Sequence, residues 1–244
     1  MADTLSQRMP PGSVNSVQTD ASRSADGNDT LPPALSPDTA NPLRQRNEAS
    51  GSRQHSHGVN IPGSGGFMQP ERVARSFDLR PGMIVADFGA GAGYFTIPIA
   101  RIIGDNGKVY AIDIQKNALD SIKARAALEH LLQVEPVWTD LELPHGSRLP
   151  ASATDFVVVA NILFQAEKKQ EIFLEAARIV RSGGGLAVLE WNDSPLPAGP
   201  ALVLRVPKAE ARRLAESAGF SLVREFGAGS HHYGLLFQKP AHHS

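Results

Sequence analysis

From about residue 67 onward, short apolar runs alternate with stretches in which apolar residues recur every three or four positions. Ile84, Val85, Ala86 and Phe88 make a run that suits a strand buried on both faces. Phe95, Ile97, Ile99, Ile102 and Ile103 then keep one helical face apolar up to a stop at Gly104. The same alternation predicts strands over 108–113, 134–139, 155–160 and 186–191, with helices over 117–132 and 166–181 between them. Leu119, Ile122, Ala126, Leu128 and Leu131 mark the inner face of the first of these helices; Ile172, Phe173, Ala176, Ile179 and Val180 mark that of the second. Pro70 opens a short helix to about Phe77, with Glu71 at its positive end. A last helix over 207–219 precedes an antiparallel hairpin of strands over 220–225 and 232–238. Segments 143–154, 182–185 and 192–206 are rich in Pro, Gly or Ser and read as loop, turn and lid. Strands alternating with helices in this way imply an α/β fold built on a parallel sheet.

Residues 1–66 break the pattern. They contain no Phe, Tyr, Trp or Lys and are crowded with Ser, Pro, Gly, Asn and Asp. Such a stretch cannot bury enough apolar surface to offset the entropy of ordering it, so it reads as a disordered tail ahead of a folded domain over 67–240. His55 and His57 in that tail, and His242 and His243 at the other end, read as solvated polar residues, and no metal site is expected. The 244 residues carry a formal net charge of −1, which gives no global pull toward nucleic acid or acidic membranes. No apolar run approaches the ~20 residues of a membrane span. Asp3 lies early with no apolar segment after it, so no secretory signal is read. The chain has no cysteine, which removes disulfides, thiolate metal sites and thiol nucleophiles. A cytoplasmic protein is expected.

Candidate chemistry gathers where the first strand meets the first long helix. Residues 85–96 read Val-Ala-Asp-Phe-Gly-Ala-Gly-Ala-Gly-Tyr-Phe-Thr. Gly89, Gly91 and Gly93 allow a tight strand-to-helix turn and close approach of a ligand to the backbone. A dinucleotide fingerprint spaces its glycines G-x-G-x-x-G; here the third glycine comes one position early. Asp113 ends the second strand, where an acid in doubly wound nucleotide folds takes the ribose hydroxyls. The alternative is an Asp that caps the following helix. Asn161 and Ile162 lie at the exit of the fourth strand, the edge at which such sheets bind ligands.

An acidic residue, one residue, then G-x-G-x-G resembles motif I of the class I S-adenosylmethionine-dependent methyltransferases. The order of the later features, from Asp113 through Asp140 and the Gly-Gly segment Arg-Ile-Val-Arg-Ser-Gly-Gly-Gly-Leu to the final hairpin, is similar to that family from about 67 to 239. The resemblance implies a doubly wound, Rossmann-like sheet of seven strands, mostly parallel with an antiparallel last strand, and helices on both faces. It implies S-adenosylmethionine as cofactor, held by Asp87, Gly89, Ala90, Gly91, Gly93, Tyr94, Asp113, Ile114, Asp140, Leu141 and Asn161. Asp140 would lie beside the adenine amino group with Leu141 on the ring; otherwise Asp140 is a solvated turn residue. Phe67 and Met68 either lid the pocket or pack against the sheet edge.

The acceptor would enter over Asn161, Glu190 and Trp191, and Glu190, His231, His232 and Tyr233 are candidate bases, with Glu190 and His232 carried forward as catalytic candidates. The Asn/Asp-Pro-Pro-Tyr box of enzymes that methylate amino groups of adenine or glutamine is replaced here by Ala-Asn-Ile-Leu. Without thiolates to hold arsenic, arsenite methylation is not expected, and a small-molecule acceptor is. An RNA or protein acceptor is the alternative, with Arg205, Lys208, Arg212, Arg213 and Arg224 as a basic surface. A nicotinamide oxidoreductase fits the ribose acid but lacks a Tyr-x-x-x-Lys pair, and a non-catalytic cofactor binder is a further alternative.

Overall fold

The computed structural model describes residues 68–194 and 199–241. The tail read over 1–66, together with Phe67, His55, His57, His242 and His243, lies outside the described residues.

Seven strands form one sheet in the order β3-β2-β1-β4-β5-β7-β6. They are β1 (Ile84–Phe88), β2 (Lys108–Asp113), β3 (Val134–Trp138), β4 (Thr154–Ala160), β5 (Val180–Trp191), β6 (Ser221–Gly227) and β7 (His232–Gln238). Every pairing among β1 to β5 is parallel, whereas β7 runs antiparallel to both of its neighbours, β5 and β6. The helices are α1 (Pro70–Ala74), continued by a tighter turn over Arg75–Phe77, then α2 (Thr96–Ile103), α3 (Lys116–Leu128), α4 (Lys169–Ile179) and α5 (Lys208–Ser217).

The two-residue period of the strands divides the core into two layers. Ala86, Phe88, Val157, Val159, Leu186 and Val188 join Ile172, Phe173 and Leu214 of α4 and α5. Their alternates Val85, Phe156, Val158, Ala187 and Leu189 pack with Phe77, Ile99 and Ile103 on the α1–α2 side. Ala90 and Ala111 seat Leu119 and Ile122 of α3. Helices thus cover both faces, so the central strands are mostly apolar on both, with Asp87 the buried exception in β1.

Two expectations are corrected. The helix read over 117–132 ends at Leu128, and Leu128 and Leu132 are exposed. The turn read over 182–185 is part of β5, which begins at Val180. Its pairing with β4 shifts register between Thr154↔Val180 and Phe156↔Gly185. The glycines are there because β4 comes close: a Cβ on Gly185 would lie 2.4 Å from the Phe156 ring, and one on Gly184 would lie 2.7 Å from the Asp155 carbonyl oxygen.

The strand order reverses between β1 and β4, which opens a crevice at the carboxyl ends of the strands. Because β7 is antiparallel, its first residue, His232, arrives at the same edge and pairs with Trp191, the last residue of β5.

Candidate functional site

The turn after β1 is fastened to β2 by its own backbone. The N–H groups of Gly89 and Ala90 both donate to the Ile112 carbonyl, at 2.9 and 3.0 Å. Gly89 holds φ +70°, and a Cβ there would lie 2.0 Å from Cγ2 of Ile162, so both conformation and space demand glycine. Gly91, at φ +52°, has nothing nearer to such a Cβ than the Gly89 carbonyl at 3.9 Å and presents open backbone to the crevice. Gly93 serves packing instead: a Cβ there would meet Ile122 of α3 at 3.0 Å.

The crevice is a cavity of about 550 Å³ bordered by Asp87, Gly89, Ala90, Gly91 and Asp113 on one side. A second cavity of about 280 Å³ continues from Gly89 and Asp113 to Ile114, Asp140 and Leu141. Asp113 stands at the junction of the two. Its Oδ2 accepts from the Gly91 N–H and its Oδ1 from the Gln115 N–H, each at 2.8 Å. Asp113 therefore holds both the glycine turn and the Gln115 backbone just ahead of α3 with one carboxylate. Each oxygen has a second acceptor site remaining. Asp140 likewise makes a turn, its Oδ1 accepting from the Glu142 N–H at 2.9 Å, and it borders the second cavity. Ile114 is exposed, and so is Tyr94, which keeps 66% of its surface at the mouth of the larger cavity.

Asp87 lies beneath the turn, and its Oδ2 accepts from the Thr96 hydroxyl at 2.6 Å. Burial pushes this carboxyl up to about 6, the Thr96 hydrogen bond opposes the rise, and the charge of Asp113 adds to it. Thr96, which sequence reading passed over, opens α2 and orients the acid.

The larger cavity is also bordered by Met68, Phe95, Asn161, Trp191 and His232. Asn161 holds φ +56°, a left-handed conformation that Asn tolerates better than most side chains. Its Oδ1 is buried with no hydrogen-bond partner among the described residues. His232 retains 5% of its surface, lies with its ring centroid 4.3 Å from that of Trp191, and has neither ring nitrogen paired among the described residues. Burial, then the neighbouring His231 and Arg205, bring its imidazole down to about 4.

Glu190 is placed differently. It is 0% exposed and does not border the cavity; its Oε1 accepts from the Leu163 N–H at 2.7 Å, behind the exit of β4. Burial pushes its carboxyl up to about 7 against the opposing backbone hydrogen bonds. Tyr233 donates its hydroxyl to the Val206 carbonyl and is likewise turned into the core.

Residues that sequence reading did not single out, Gln115 and Gln165, border both cavities. Neither sits in a pattern that marks it. Arg205 is turned onto the segment beyond β5, donating to the carbonyls of Pro200, Asn192 and Ser194. Lys208, Arg212 and Arg213 pair with Glu225, Glu216 and Glu210, and Arg224 lies against Ser76 and Asp78. The basic surface expected from these five residues is thus engaged within the chain. No group of His, Asp or Glu suited to a metal ion occurs among the described residues, nor a helix long and apolar enough to cross a membrane.

Residues 85–184 match the family model of a methyltransferase domain. Over 124 residues the chain is 30% identical to a demethylmenaquinone methyltransferase of Bacillus mycoides (strain KBAB4), an alignment covering 50% of this chain and 51% of that protein. The chain spans about half the length of the curated relatives it matches. Among solved structures, a SAM-dependent methyltransferase from Aquifex aeolicus aligns with a TM-score of 0.65 and 26% identity, covering 71% of this chain and 90% of the other. The (4+2)-cyclase SpnF aligns with a TM-score of 0.60 at 16% identity, covering 70% and 82%, a likeness of fold alone.

Proposed function

We propose, for a chain that belongs to the class I S-adenosylmethionine-dependent methyltransferases, that it binds S-adenosylmethionine across the two joined cavities and passes its methyl group to a small molecule. The observation that carries this reading is Asp113, which clamps the Gly91 backbone and keeps acceptor sites for a vicinal diol where the two cavities meet. The donor set fits the cofactor part by part. Asp113 suits the ribose, Asp140 and Leu141 the adenine, and the clear space over Gly91 beside the Asp87 carboxyl suits the charged amino-acid end.

When bound, the cofactor supplies an electrophilic methyl on a sulfonium. The residues of this chain have mainly to align it with a nucleophile, and in the best cases proximity and orientation supply ~7–11 kcal/mol. The glycine turn and Asp113 fix one partner. Trp191 and His232, which border the same cavity, help position the other. A small acceptor is supported by the name of the demethylmenaquinone methyltransferase relative.

Calorimetric titration with S-adenosylmethionine, S-adenosylhomocysteine and NAD tests the reading. Binding of the first two and not the third is expected, with a raised melting temperature, since a ligand bound by the native state alone stabilises it. Binding of NAD alone would overturn it. Release of S-adenosylhomocysteine over a metabolite panel then separates an enzyme from a cofactor binder.

A further inference from the structure

Asp87 borders the larger cavity yet keeps only 2% of its surface exposed. The charge acting on it is that of Asp113 on β2, of like sign. Its partners in the sheet, Ala111 on β2 and Val158 on β4, carry none. His232 of β7 borders the same cavity and, held down to about 4, is uncharged above that pH. Arg205 is committed to three backbone carbonyls, and Glu190 of β5 does not border the cavity. A carboxyl buried in such surroundings tends to keep its proton.

Thr96 opposes that tendency from behind. It begins α2, is fully buried and does not border the cavity. Its hydroxyl donates to Oδ2 of Asp87 at 2.6 Å, within the range of O–H donors to an ionised carboxylate. Its backbone adds a further bond to the same group. A donor favours the charged form of the acid that it meets.

We propose that Thr96 is a positioning residue of the cofactor site: its hydroxyl holds Asp87 at the cavity wall as a carboxylate, and so links cofactor binding to loss of the Asp87 proton. This rests on the reading that the ammonium of the cofactor's amino-acid end lies beside Asp87. An ammonium entering there pairs with the ionised acid. Below about pH 6 the free chain carries a proton on Asp87, and binding sends it to the buffer. Above that pH the acid is already ionised and no proton leaves. Affinity therefore rises with pH up to about 6 and is level beyond it. Without the hydroxyl the protonated form persists to higher pH, and the break moves up with it. A role in packing alone would weaken binding by one factor at every pH.

The test is calorimetric titration of the full chain with S-adenosylhomocysteine from pH 5 to pH 8. Buffers of differing ionisation enthalpy report the protons released per ligand bound. Wild type is expected to bind about tenfold more weakly at pH 5 than at pH 8 and to release about half a proton at pH 6. Thr96→Val keeps the branched shape and loses the donor. Its break is expected about one pH unit higher, so its deficit against wild type grows from little at pH 8 to about tenfold at pH 5. Thr96→Ala also lacks the donor and is expected to break where Thr96→Val does. Thr96→Ser keeps the donor and is expected to keep the wild-type break. Asp87→Asn is expected to bind weakly and to release no proton, which sets aside Glu190, whose carboxyl changes charge in the same range. A flat wild-type profile, proton release that persists in Asp87→Asn, a deficit of Thr96→Val or Thr96→Ala that is equal at every pH, or a Thr96→Ser profile matching theirs would overturn the proposal. Failure of the wild-type chain to bind S-adenosylhomocysteine anywhere from pH 5 to pH 8 would instead overturn the adenosyl reading, and this proposal with it.

Discussion

The Gly91 N–H donates to Oδ2 of Asp113 at 2.8 Å, so the end of β2 holds the turn that follows β1. The other oxygen of the same carboxylate holds the Gln115 N–H just ahead of α3. Hydrogen bonds to a charged group contribute about 1.5–3 kcal/mol each. Asp113→Ala removes both and any bond to a ribose. S-adenosylhomocysteine affinity is expected to fall by about a hundredfold or more, close to 3 kcal/mol. Asp113→Asn must point an N–H₂ at one of two backbone donors and is expected to lose binding nearly as severely. Calorimetry on both variants checks this, and unchanged affinity would contradict the assignment.

Gly89 and Gly91 should respond differently to the same added methyl. At Gly89 the methyl meets Ile162 at 2.0 Å on a backbone with φ +70°. Overpacking of this kind costs about 1–3 kcal/mol, and the left-handed conformation adds about 1–2. Gly89→Ala is therefore expected to lose a large part of its stability in urea. At Gly91 the space is open, and the φ of +52° alone costs about 1–2 kcal/mol. Gly91→Ala is expected to stay folded yet bind S-adenosylhomocysteine poorly, since its methyl enters the cavity. Equal stability of the two variants would contradict the contrast.

Much of this architecture is written in the alternation of the sequence, because a central strand covered on both faces is apolar at nearly every position, Asp87 being the exception in β1. The run 84–88 and the acid at 113 are visible for that reason. The Gly-rich stretch 182–185 misleads because glycine serves two purposes: here it admits the Phe156 ring and the Asp155 carbonyl from β4, not a turn. Glu190 and Trp191 are adjacent and point to opposite faces of β5, but periodicity does not say which face meets the cavity. The structure gives the cavity to Trp191 and the core to Glu190. The juxtaposition of His232 and Trp191 depends on β7 entering the sheet beside β5, a long-range pairing that no local pattern encodes.

Arg205 fastens the segment beyond β5. It is 9% exposed, donates to three backbone carbonyls and lies 5.7 Å from the centroid of the Trp191 ring. Arg205→Ala strips that fork from the loop, and a lysine cannot reproduce its planar, multiply donating geometry. Both substitutions are expected to make residues 192–194 and 200–206 markedly more sensitive to limited proteolysis. S-adenosylhomocysteine affinity should hold within about threefold, because no hydrogen bond of Arg205 reaches the glycine turn and separate sites respond independently. Loss of S-adenosylhomocysteine binding equal to that of Asp113→Ala would contradict the independence of Arg205 and Asp113.

Glu190 makes stability depend on pH. Burial lifts its carboxyl from the ordinary 4.5 to about 7, with Oε2 unpaired among the described residues. A group whose pKa is higher in the folded state contributes stability that is fully present below the unfolded value and lost as pH rises through the folded one. For Glu190 that window runs from 4.5 to about 7, and the loss is on the order of 3 kcal/mol above it. Asp87, raised from 3.8 to about 6, acts in the same direction. His232, lowered from 6.5 to about 4, acts in the opposite one, since the unfolded chain takes up its proton first as pH falls. Comparison with Glu190→Gln isolates the first contribution: the amide keeps an oxygen for the Leu163 N–H and cannot ionise. Relative to wild type, Glu190→Gln is expected to gain on the order of 3 kcal/mol in urea denaturation between pH 5 and pH 8. A difference between the two proteins that stays constant over that range would show that Glu190 is not the group responsible.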